Sequence, residues 1–113
     1  MSRSLKLYLK DILTSIDKIK NYTAGLDKEL FIRTTIVFDA VTLNLQIIGE
    51  ASKNIPQNIR NQYPDIPWRN IIGLRNIIAH TYFYLDEDIL WDTVTNELDP
   101  LENCIQDIWN KTP

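Results

Sequence analysis

From Leu5 to Trp109, apolar side chains return every three or four positions, and nothing interrupts that rhythm for long. A repeat close to 3.6 residues calls for helices, because a half-buried strand needs strict alternation to keep one face in the core. Leu5, Leu9, Ile12, Ile16 and Ile19 make one stripe, widened by Tyr8 and Leu13, with Arg3, Lys6 and Lys10 lying off it, so a helix is expected over 4–22. Asp27 is placed to cap a second helix. On it Phe31, Phe38, Val41, Leu45 and Ile48 form one apolar face, and Ile32, Ile36, Ala40, Leu43 and Ile47 form another. A helix apolar on two sides belongs in the middle of the fold, and its surplus face predicts contact with a second copy of the chain. Gly49 would permit that copy to come close.

Pro56 suits the first turn of a short helix ending near Tyr63. Pro64-Asp65-Ile66-Pro67 then forces an extended corner, since proline restricts both itself and the residue before it. Trp68 opens the next helix, which carries Ile71, Ile72, Leu74, Ile77 and Ile78 and runs to about His80. Thr81-Tyr82-Phe83-Tyr84 and the acidic Asp86-Glu87-Asp88 announce a break and a new N-terminus, where carboxylates favour the positive end of a helix. Ile89, Leu90, Trp91, Val94 and Leu98 begin the last stretch, Pro100 kinks or restarts it, and Leu101, Ile105, Ile108 and Trp109 finish its stripe. Only three glycines and five prolines punctuate the chain. The expected fold is therefore all-α, an up-and-down bundle of four long helices plus a short one.

At 113 residues the chain is the size of one domain, 1–113, with enough apolar mass to fold without crosslinks. Cys104, the single cysteine, sits among Leu101, Ile105 and Ile108 and has no disulfide partner, which predicts a reducing, cytoplasmic setting. Residues 1–20 mix charged and apolar side chains too closely for a signal sequence or a membrane span. One histidine and one cysteine do not build a zinc site, so neither a metal nor a cofactor is expected. Nor does a glycine-rich phosphate loop or a serine-centred turn appear. The net charge of −3 is unevenly spread: residues 1–85 carry 11 basic and 7 acidic side chains, against 1 and 8 in residues 86–113. The basic part suits either a local patch for an anionic ligand or ordinary solvated helix faces, and the acidic tail suits a basic partner surface.

Chemistry is concentrated in Gly73-Leu74-Arg75-Asn76-Ile77-Ile78-Ala79-His80-Thr81-Tyr82, where the only histidine follows an arginine by five positions and precedes a tyrosine by two. Histidine moves a proton near neutral pH, and arginine holds a phosphate or its pentacoordinate transition state. Asn76 adds a neutral hydrogen-bonding group. At about 100° per residue Asn76 and His80 share a face with Arg69 and Gly73, whereas Arg75 lies about 140° from His80. Two arrangements answer that offset. His80 caps the end of its own helix while Arg75 reaches Glu50 or Asp39, or a twofold pairing of two chains brings both residues of each copy into one cleft.

Arg75, His80 and Tyr82 resemble the R-x4-H-x-Y signature of the HepT-like family, a branch of the HEPN superfamily. Ile48-Gly49-Glu50-Ala51, Tyr63-Pro64-Asp65-Ile66-Pro67-Trp68 and Gly73 with Arg75-Asn76 extend the resemblance over nearly the whole chain. The resemblance implies an all-α homodimer with a metal-independent endoribonuclease cleft at its interface, RNA as substrate, and the role of toxin in a toxin–antitoxin system. Arg75 and His80 would be the catalytic pair and Asn76 the polar residue that supports them. It also implies a partner, a minimal nucleotidyltransferase (MNT-type) antitoxin that attaches AMP to Tyr82 and silences the cleft. A different class of function stands beside it, a module that binds a nucleotidyltransferase or nucleotide as an adaptor and cleaves nothing.

Overall fold

In the computed structural model of the protein, the backbone is described for residues 3–80 and 86–113, and side chains for 3–74 and 86–113. All regular structure among them is helical, as expected. Helix α1 (Leu5–Thr23) starts at Ser4, whose hydroxyl accepts from the Leu7 amide, and it buries Leu9, Ile12, Ile16 and Ile19 completely. Helix α2 (Lys28–Arg33) begins at Asp27, whose carboxylate accepts from the Leu30 amide at 2.8 Å. Helix α3 (Thr35–Lys53) follows at once, then α4 (Gln57–Arg60), α5 (Trp68–His80), α6 (Glu87–Asp92), a π-helical turn at Thr93–Glu97 and α7 (Leu98–Lys111).

Three details correct the expected boundaries. The single second helix is two, because Thr34 leaves helical geometry at φ −89°, ψ 85° and bends the chain between α2 and α3. The short helix ends at Arg60 rather than near Tyr63. Before Pro100 the helix widens into the π turn, whose span includes Asn96, the residue whose carbonyl the proline ring would strike in a regular helix. Among the described residues the fold thus has the four long helices expected and three short ones, α2, α4 and α6.

Helix α3 is the shared wall, packing on α1 along one side and α5 along the other, while α7 covers the far side of α1. Helices α1 and α7 run antiparallel. Lys20, at the end of α1, pairs with Asp99 and Glu102 at the start of α7, and the Lys6 ammonium near the other end lies 4.3 Å from the Trp109 ring centre. Phe31 locks α2 against its neighbours, its ring 5.4 Å from Phe38 and 5.1 Å from Trp91. Val41, Leu45 and Ile48 fill the core as one face of α3, and Gly49 is buried with them. The second apolar face of α3 is open to solvent, with Ile36 82% and Leu43 57% exposed and Ile47 beside them. No helix among the described residues is long and apolar enough to cross a membrane.

Candidate functional site

Helix α5 owes its start to the corner before it. The Trp68 indole N–H donates to the Tyr63 and Arg60 carbonyls at 3.1 and 3.2 Å, and the Arg60 Nε donates to the Ile55 carbonyl at 3.0 Å. These bonds tie the end of α4 to the first turn of α5. Below, the Tyr63 hydroxyl donates to Asp107 of α7, which also pairs with Lys111. The two contacts hold the Asp107 carboxyl below its ordinary range, the tyrosine bond contributing most. Ile71 and Leu74 anchor the inner side of α5 in the core.

The helix continues unbroken to His80, so Arg75, Asn76 and His80 all lie on α5, as the sequence predicts. Their side chains lie outside the described residues. Tyr82 and the expected break at Thr81–Tyr84 lie outside them too, as do both proposed settings for Arg75 and His80, the internal pairing and the twofold cleft. Described residues do map the face that helical phase assigns to Asn76 and His80, since Arg69 and Gly73 stand on it. Gly73 is half-buried, and a side-chain carbon added there would meet nothing within 4 Å. Glycine inside a helix costs about 1 kcal/mol relative to alanine. No packing among the described residues calls for it at this point.

On either side of Gly73 the surface opens into a cavity. One, of about 610 Å³, lies between α5 and the α6–π segment and is lined by Arg69, Asn70, Asp88, Asp92, Thr93 and Glu97 among others. Burial, helped by the charge of Asp92, pushes the Glu97 carboxyl above its ordinary range. Asp88 pairs with Lys28, and Asp92 accepts from the Asn96 amide at 2.6 Å. Among the described residues no group of three or more histidine, cysteine or acidic side chains is arranged to hold a metal ion. The other cavity, of about 620 Å³, lies on the α4 side and is lined by Gln57, Arg60, Trp68, Arg69, Ile72 and Gly73. Among the described residues its lining contains no carboxylate. The two arginines and the tryptophan are site features that sequence reasoning did not assemble, although it placed Arg69 on the His80 face.

The sequence model of the family described as ribonuclease HepT-like matches residues 12–108. A Thermococcus cleftensis protein named probable ribonuclease HepT is 40% identical over 90% of this chain and 93% of its own length. A Methanocaldococcus jannaschii protein provisionally named an RNase is 38% identical over 96% of this chain and 97% of its own. Another so named, from Caldanaerobacter subterraneus subsp. tengcongensis, is 33% identical over 92% and 93%. No solved structure matches the chain.

Proposed function

Because this chain belongs to the ribonuclease HepT-like family, we propose that it is an endoribonuclease whose chemistry rests on Arg75 and His80, supported by Asn76. The substrate's own 2′-hydroxyl is the nucleophile. The His80 imidazole takes its proton, the freed oxygen attacks the adjacent phosphorus, and Arg75 stabilises the charge of the phosphorane. The 5′-oxygen then leaves with a proton, giving a cyclic phosphate and a free 5′-hydroxyl. No metal enters this scheme.

One imidazole serves one proton transfer well. A twofold pair of chains supplies the second histidine and closes the angle between Arg75 and His80. The exposed Ile36, Leu43 and Ile47 of α3 support such a homodimer, being apolar surface in need of cover. In this reading the protein is the toxin of a toxin–antitoxin pair. A minimal nucleotidyltransferase attaches AMP to Tyr82, two residues from His80, where the added phosphate blocks the cleft and competes for Arg75.

The observation that carries the reading is the unbroken backbone of α5, which bears Arg75, Asn76 and His80 on a helix left open at Gly73. The test is cleavage of RNA by the purified protein with and without EDTA, beside a 2′-deoxy substrate. Chelator-resistant cutting of RNA alone is expected, abolished in His80→Ala and Arg75→Ala at unchanged helical content. Loss of activity in EDTA, or equal cutting of DNA, overturns the mechanism. Coexpression with the nucleotidyltransferase should add AMP to Tyr82 and not to Tyr84 or Thr81. The adaptor reading draws on one observation, the carboxylate-lined cavity against α5, which repels a polyanion. A folded protein that leaves RNA intact yet copurifies with a nucleotidyltransferase decides for it.

A further inference from the structure

We propose that the groove between α4 and the first turns of α5 seats the RNA strand beside the cleaved bond, with Arg60 and Arg69 on its phosphates and the Trp68–Ile72 surface under a base. This rests on the ribonuclease reading and adds the path of the substrate. Four arginines precede the signature. Arg3 is paired with Asp11 at 2.6 Å and Arg33 with Glu29 at 3.1 Å, whereas Arg60 and Arg69 have no carboxylate partner among the described residues. Both of these line the same groove. Arg60 spends only its Nε on the Ile55 carbonyl, so its two terminal nitrogens remain for a ligand. Cationic side chains around an apolar, partly aromatic floor are what a single strand binds, phosphates to the charges and bases to the ring surface.

Charge also gives the path a direction. The cavity across the Gly73 ridge carries Asp88, Asp92 and Glu97, and their field turns a polyanion toward the α4 side. Gly73, with open space where a side chain would stand, belongs to both cavities and lets a strand come close to the helix backbone on its way to His80. Arg69 precedes His80 by eleven residues, which is about 16 Å along the helix axis, so the two do not share a phosphate. Arg60 and Arg69 are accordingly positioning residues for flanking phosphates, not members of the reacting set.

The probe is a short fluorescein-labelled 2′-O-methyl oligoribonucleotide, which binds as RNA does and has no free 2′-hydroxyl to attack. Fluorescence anisotropy with the full chain should show binding weakened about tenfold in Arg69→Ala and more in Arg69→Glu. The plot of log affinity against log salt should flatten by about 0.7 for the lost contact. Arg69→Lys should keep the salt dependence of the wild type while binding less tightly, because it keeps the charge and loses the fork. In cleavage kinetics KM rises in Arg69→Ala and kcat holds. Since Arg60 also supports the corner, Gln57→Glu is the second probe, placing a negative charge in the groove from an exposed position.

Unchanged affinity and salt slope in both Arg69→Glu and Gln57→Glu overturn the groove. So does a gain in affinity in Asp92→Lys as large as the loss in Arg69→Glu, which would route the strand across the other cavity. Binding by a wild type that cuts no RNA leaves the groove standing and removes the catalytic reading. A folded wild type that binds no oligonucleotide removes the groove, and one that also cuts no RNA removes both.

Discussion

Gly73 is the residue at which stability and use of the surface come apart. Alanine fits its position without a contact inside 4 Å and removes the conformational cost of glycine in a helix. Gly73→Ala should therefore raise the unfolding free energy by about 1 kcal/mol in denaturant titration while lowering RNA cleavage, because a methyl group now stands where the strand approaches. A variant that is more stable and equally active would show that nothing uses the open backbone. Cys104 tells a simpler story. Burial pushes its thiol from an ordinary 9.0 up to about 11, so the folded state holds the proton more tightly than the unfolded chain does. The contribution is intact below pH 9.0 and is lost as pH rises from there to about 11. Unfolding midpoints measured across that window should fall more steeply for the wild type than for Cys104→Ala. Alkylation of the native protein by iodoacetamide at pH 8 should be slow.

Among the elements, the π turn at Thr93–Glu97 makes the most specific demand. It holds one residue more per turn than the helices beside it, so removing an exposed residue there keeps α7 in register but sets the Pro100 ring against the Asn96 carbonyl, a loss of about 3 kcal/mol. Deleting Thr95, which is exposed, is expected to keep helical circular dichroism and a cooperative melt; deleting Lys10 from the middle of α1 turns half of that stripe out of the core and should unfold the protein. Periodicity made α1 and α5 legible to within a residue, since each has one apolar face and a plain start, Ser4 for α1 and Trp68 after Pro67 for α5. It ran straight through Thr34 because Phe31 and Phe38 both face the core and no glycine or proline marks the bend. Pro100 signalled a disturbance, but the helix accommodated it by widening one turn upstream. Of the site, the residues on α5 could be read from spacing. The groove could not, because Arg60 and Arg69 meet only through the Pro64–Pro67 corner and the Trp68 bonds that close it.

For the molecule as a whole, the distribution of apolar surface and of charge predicts its assembly. The outer face of α3 leaves Ile36, Leu43 and Ile47 in solvent, and a second copy set against it buries all three twice over. Leu43→Arg should move the protein from dimer to monomer in light scattering at micromolar concentration, with helical content unchanged. RNA cleavage should fall with the dimer if the cleft is composite. The order in which helices touch has a consequence in time as well. Helices α1 and α3 are separated along the chain only by the short α2, and α3 and α5 only by the one-turn α4 and its corner, so their interfaces close short loops. The α1–α7 interface instead joins residues as distant as Lys20 and Glu102. Early contacts are cheap and this one is not, so the α1–α3 hairpin should collapse first and serve as the template on which α5 is laid. Leu101→Ala, in α7, should then speed unfolding and leave the refolding rate close to that of the wild type. The wall that carries the signature helix is thus complete before the acidic tail has found its place.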